Sequence, residues 1–122
     1  MTASNINSMI SVVPINDFDE VVHWYKKLFG READVLPMEG IAEWEVVENA
    51  WVQITVDPER AGSTTVIIGV NDVDRQRKAC IDSDVSVSEI LEYPGVIKMI
   101  EAADPDGNTI SFVQDISNSF GA

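Results

Sequence analysis

Val13-Pro14-Ile15-Asn16-Asp17-Phe18-Asp19 returns 55 positions later as Ile68-Gly69-Val70-Asn71-Asp72-Val73-Asp74. In both copies an apolar, β-rich run (9–13 and 66–70) ends at Asn-Asp, and an amphipathic helical pattern begins at once. Each half therefore reads as a strand feeding a helix, a structural unit built twice. Neither copy is long enough to stand alone, so the two must share one core.

The first helix is expected over 17–29. Asp17 is its N-cap, and Glu20 three residues on completes an Asp variant of the capping box. Phe18, Val21, Val22, Tyr25, Leu28 and Phe29 form the apolar stripe, and Gly30 ends the helix. The second helix, 72–81, has a weaker stripe of Val73, Ala79, Cys80 and Ile81. After each helix come strand signals: 33–36, 42–47 and 51–56 in the first half, and 85–92, 96–102 and 109–114 in the second. Glu48-Asn49-Ala50 reads as a hairpin turn, and so does Asp104-Pro105-Asp106-Gly107-Asn108. The expected class is α+β: one domain over 1–122 made of two tandem βαβββ modules, about 8–60 and 63–116. Only the ends, 1–7 and 117–122, read as polar tails.

Composition narrows the function. The 122 residues carry 21 Asp and Glu against 8 Lys and Arg, a formal net charge of −13. Nucleic acid is an unsuitable partner for such a chain, because backbone binding needs a basic patch. The acidity either keeps the protein soluble or steers a cationic ligand. No apolar run is long enough to span a membrane and no signal-peptide pattern is present, so the expectation is a soluble cytoplasmic protein. The single cysteine, Cys80, permits neither an internal disulfide nor a Cys-based zinc site, and its place on the apolar side of the second helix reads as an inert core thiol.

The duplicated unit, the helix Val22-His23-Trp24-Tyr25-Lys26-Lys27-Leu28-Phe29-Gly30 and the terminal hairpin Asp104-Pro105-Asp106-Gly107-Asn108-Thr109-Ile110 together resemble the vicinal oxygen chelate superfamily. That superfamily contains glyoxalase I, extradiol dioxygenases, fosfomycin-resistance enzymes and bleomycin-resistance proteins. The likeness extends over about 8–116. It implies two modules curling a mixed sheet around a groove, with the helices on the outer face, commonly as a homodimer. Catalytic members hold a divalent metal with four His, Gln or Glu side chains, from the first and last strand of each module. Those positions fall near Ile10, Gln53, Thr65 and Ser111. None is His or Glu, so neither a metal nor another cofactor is expected.

Other chemistry is sparse. His23, the only histidine, lies roughly 140° around the helix from Phe18 and faces solvent, leaving no imidazole for a nucleophile–base pair. Asp104-Pro105-Asp106-Gly107 lacks the spacing of a calcium loop. No catalytic residue is assigned. Period-2 alternation sets Trp51, Gln53 and Thr55 on one strand face and Val52, Ile54 and Val56 on the other, which is the natural partner for a helix. Trp51 and Trp44 either cover the sheet or a dimer interface, or form a stacking wall for a planar or cationic ligand, with Glu43, Glu45 and Glu101 nearby. The expected groove comprises Ile10, Trp44, Trp51, Gln53, Thr65, Ile67, Glu101 and Ser111.

The expected function is metal-free binding of a small molecule, closest in type to the bleomycin-resistance proteins, which sequester an antibiotic without reaction. One alternative is a metal-dependent lyase or dioxygenase of the glyoxalase type. Another is a non-catalytic dimeric structural or regulatory protein.

Overall fold

A computed structural model describes residues 4–117; the rest of the two expected polar tails lies outside the described residues. The first module runs β1 (Met9–Ile15), α1 (Phe18–Phe29), β2 (Val35–Met38), β3 (Ile41–Val47) and β4 (Ala50–Val56). The second runs β5 (Thr65–Gly69), α2 (Val73–Asp82), β6 (Leu91–Tyr93), β7 (Ile97–Ala103) and β8 (Thr109–Asp115). Each module is βαβββ, and the class is α+β. The strands form two four-stranded sheets, ordered β1-β4-β3-β2 and β5-β8-β7-β6. In each, the first strand pairs parallel with the last and the remaining pairs are antiparallel.

The repeated Asn-Asp marks the same junction twice. Asp17 Oδ1 accepts from the Glu20 N–H at 3.3 Å, and Asp72 Oδ1 accepts from the Arg75 N–H at 3.2 Å, so both helices start on the same side-chain cap. Gly30 closes α1 in the left-handed region at φ 72°, where a Cβ would be strained. Two strands depart from the sequence pattern. The second strand begins at Val35, because Arg31 and Asp34 form an ion pair that turns the chain first. Most of 85–92 is not strand: the Val85 N–H donates to Cys80 O at the end of α2, and Ser88 contacts β7 partly through its own hydroxyl, to the Glu101 N–H. Only Leu91–Tyr93 pairs.

One cluster of buried side chains runs through both modules, including Val13, Ile15, Tyr25, Trp44 and Ile54 with Val66, Cys80, Ile100, Ile110 and Phe112. A polar clasp joins the modules at one end. Asp104, buried in the turn between β7 and β8, accepts from Tyr25 Oη at 2.8 Å, Asn108 Nδ2 at 2.9 Å, and the N–H groups of Asp106 and Asn108. Burial, and then the Asp104 carboxylate, push the Tyr25 hydroxyl well above the usual tyrosine range. Fully buried Asn108 donates to Pro14 O of β1 at 2.9 Å, and its Oδ1 accepts from Gly62 N (3.1 Å) and Thr64 N (3.0 Å) in the inter-module linker. Asp106 completes the join by accepting twice from Asn16. The approach is close: a Cβ on Gly62 would lie 2.6 Å from Asp106 O.

Candidate functional site

Each sheet has one row of side chains against the helices and one turned away from them. In β4, Val52 and Ile54 are buried while Trp51, Gln53 and Thr55 are half-exposed, so the aliphatic row faces the helix. Register carries this assignment across the sheet. Ile10 and Val12 lie opposite Trp51 and Gln53, and Glu43 and Glu45 lie opposite Gln53 and Trp51. In the second sheet Thr65 lies opposite Thr109, and Ile67 and Glu101 both lie opposite Ser111.

The helix-free face therefore carries Ile10, Trp51, Gln53, Thr65, Ile67, Glu101 and Ser111. Trp44 is not there. It pairs in register with Val52, is fully buried, and stacks 6.0 Å from Tyr25 and 5.6 Å from Phe29, with Nε1 donating to Arg31 O at 3.1 Å. The expectation that Trp44 forms part of the groove wall is corrected: alternation sets it opposite Glu43 and Glu45, and the large apolar ring fills the space under α1.

The duplication extends to the polar groups of this face. Glu43 sits opposite Gln53 in β3–β4 as Glu101 sits opposite Ser111 in β7–β8. In the first module Thr55 Oγ1 donates to Gln53 Oε1 at 2.6 Å and Gln53 Nε2 donates to Glu43 Oε2 at 2.5 Å, a chain of oriented bonds ending on a carboxylate. In the second, Ser111 Oγ donates to Glu101 Oε2 at 3.4 Å. Glu45 is committed elsewhere, because its carboxylate accepts from the Asn49 N–H and holds the β3–β4 turn. Val12 and Thr55, opposite or beside Gln53, belong to the same face and were legible from alternation alone.

All eight Lys and Arg residues lie off this face. Seven sit on the helices or in loops, and Lys98 falls in the row of β7 that includes buried Ile100 and Ala102. The face is consequently apolar and aromatic with fixed carboxylates and no internal counter-ion. Much of it is uncovered: Ile10 is 48% exposed, Val12 49% and Ile67 69%. Within the single chain Trp51 and Ile67 line a small cavity of about 150 Å³ where the two modules adjoin; Gln53, Glu101, Thr65 and Ser111 do not line it.

The superfamily's metal can be tested on the donor set. Ile10, Gln53, Thr65 and Ser111 offer one amide, two hydroxyls and a hydrocarbon, which do not match the imidazole and carboxylate ligands of a divalent transition metal. Among the described residues no group of three or more His, Cys, Asp or Glu is placed to hold a metal ion. His23 is exposed on α1, and burial raises the Cys80 thiol above its ordinary value, with the Gln76 side chain acting weakly in the opposite direction. Neither is on the face. No helix among the described residues is long and apolar enough to cross a membrane.

Two tandem βαβββ modules with first-to-last parallel pairing define a glyoxalase-type fold. A scan against protein-family models finds no match, and neither does a search of curated proteins. Solved structures do match. A glyoxalase/bleomycin resistance protein from Catenulispora acidiphila superposes with TM-score 0.83 and 27% identity, over 88% of this chain and 96% of that one. TnmS3, an antibiotic binding protein from a Streptomyces species, gives 0.73 and 20% over 94% and 98%. Lactoylglutathione lyase from Agrobacterium tumefaciens gives 0.74 and 17% over 93% and 96%. The chain thus has the fold of the vicinal oxygen chelate superfamily, and the solved structures it is similar to include glyoxalase/bleomycin resistance proteins.

Proposed function

We propose that the protein binds a cationic, aromatic small molecule on its helix-free face without a metal and without chemical conversion, sequestering an antibiotic or metabolite. The observation that carries this reading is the charge pattern of that face. It presents Trp51 beside a Thr55–Gln53–Glu43 hydrogen-bond chain and a second carboxylate at Glu101, with every Lys and Arg elsewhere. A planar cation gains stacking on the indole and attraction to the carboxylates, and an anion gains neither. The two fold relatives described as antibiotic-binding or resistance proteins support the ligand class.

As part of the same proposal the two modules, about 8–60 and 63–116, act as one cytoplasmic domain, and the protein is a homodimer. The support for assembly is the apolar surface left open at Met9, Ile10, Val12, Ile67 and Tyr93, which a second copy would cover to close a groove. Sedimentation equilibrium at micromolar concentration should give a dimer.

Titration of tryptophan fluorescence with cationic aromatic compounds, bleomycin among them, tests the binding. Trp51→Ala should weaken it by ~1–3 kcal/mol, the range for an aromatic anchor. Added salt should weaken it further through screening of the exposed carboxylates. Unchanged affinity in a folded Trp51→Ala protein would refute the assignment of this face.

A further inference from the structure

A larger cleft than the one at Trp51 and Ile67 lies elsewhere. It has a volume of about 760 Å³ and opens between the start of α1 and the β2–β3 turn, with walls of Phe18, Leu36, Met38 and Val56. None of Ile10, Trp51, Gln53, Thr65, Ile67, Glu101 or Ser111 lines it. Its volume is within the usual range for small-molecule sites, which are mostly apolar with a few convergent polar groups. The polar groups here are the carboxylates of Asp19 and Glu39, and no Lys or Arg contributes. Among the described residues neither side chain has a hydrogen-bond or ion-pair partner.

The wall is anchored. The Val56 N–H donates to Gly40 O at 3.0 Å, and Gly40, at φ +82°, packs so closely that an added Cβ would lie 3.3 Å from Val56 Cγ2. The turn carrying Glu39 is therefore fixed against the end of β4. The apolar groups it faces are uncovered: Leu36 is 66% exposed and Met38 64%.

We propose that this cleft is a second binding site, separate from the helix-free face, for a compact apolar cation: an ammonium group on a hydrocarbon body. Hydrocarbon of any charge gains from covering Phe18, Leu36, Met38 and Val56. Only a cation also gains from Asp19 and Glu39, whereas an anion meets both carboxylates and the charge of −13.

Three probes with one cage separate these contributions: 1-adamantylammonium, 1-adamantanol and 1-adamantanecarboxylate. Methyl chemical shifts of Leu36, Met38 and Val56 in the full chain report occupancy of the cleft. The ammonium should bind about three- to fivefold more tightly than the alcohol, a factor set by exposed, screened carboxylates, and the carboxylate should bind weakest. The double variant Asp19→Asn, Glu39→Gln should bring ammonium and alcohol together while leaving the alcohol's affinity unchanged. Trp51→Ala should leave all three affinities unchanged, which distinguishes failure of this site from failure of the helix-free face. Equal binding of the three probes, a loss of binding in Trp51→Ala, or no shift at these methyls up to millimolar probe would each overturn the proposal.

Discussion

Replacing Asn108 with Ala should cost about 4 kcal/mol of folding free energy. The side chain is fully buried and makes four hydrogen bonds, to Pro14 O, Asp104 Oδ2, Gly62 N and Thr64 N. Truncation orphans three backbone groups, one carbonyl and two N–H, on segments from both sides of the duplication. An unsatisfied buried group costs ~1–3 kcal/mol. Gly62 and Thr64 are only half-buried, so water reaches part of the gap and the low end of the range applies. Three groups at ~1 kcal/mol, with a similar loss for the bond to the Asp104 carboxylate, give about 4 kcal/mol. That is a large share of the ~5–15 kcal/mol typical of a domain. Urea denaturation followed by tryptophan fluorescence measures the change. Amide exchange should locate it, with protection lost first at Gly62 and Thr64 while the interior of β4 stays protected. A loss below ~1 kcal/mol would refute the reasoning, because it would mean that solvent or a relaxed linker satisfies these groups at little cost.

Two further outcomes are expected. Trp44→Ala should destabilise the fold by ~3–5 kcal/mol, as a fully buried aromatic does, in contrast to Trp51→Ala, whose half-exposed ring leaves the core intact; thermal melts of the two variants compare them directly. Alkaline unfolding should depend on Tyr25, whose folded pKa is raised by burial and by Asp104. Its contribution is present in full below the unfolded tyrosine value near 10 and is lost as pH rises from there toward the folded value, because the unfolded chain releases the proton first. Stability should fall by about 1.4 kcal/mol per pH unit above pH 10 from this group, and Tyr25→Phe should remove that slope.

Local chemistry sufficed for much of the fold. Asn-Asp twice, each followed by a helical stripe, placed both strand-to-helix junctions, because an N-cap acts within three residues of itself. Alternation in 51–56 was enough to separate Trp51 and Gln53 from Val52 and Ile54, because adjacent side chains of a strand point to opposite faces. The same rule sets Trp44 apart from Glu43 and Glu45, but says nothing of which row meets the helix. That required the register, Trp44 against Val52, and the volume under α1 that an indole fills. Likewise 85–92 has strand composition along its length, yet the tether of Val85 to the end of α2 and the use of the Ser88 hydroxyl limit pairing to Leu91–Tyr93. The pairing of Glu43 with Gln53 and of Glu101 with Ser111 joins residues 10 positions apart, and the clasp joins Tyr25 to Asp104 over 79 positions and Asn108 to Pro14 over 94. Periodicity and caps are properties of a few consecutive residues and the two hairpin pairs need only the strand register within one module, whereas the clasp exists only once the modules have closed on one core.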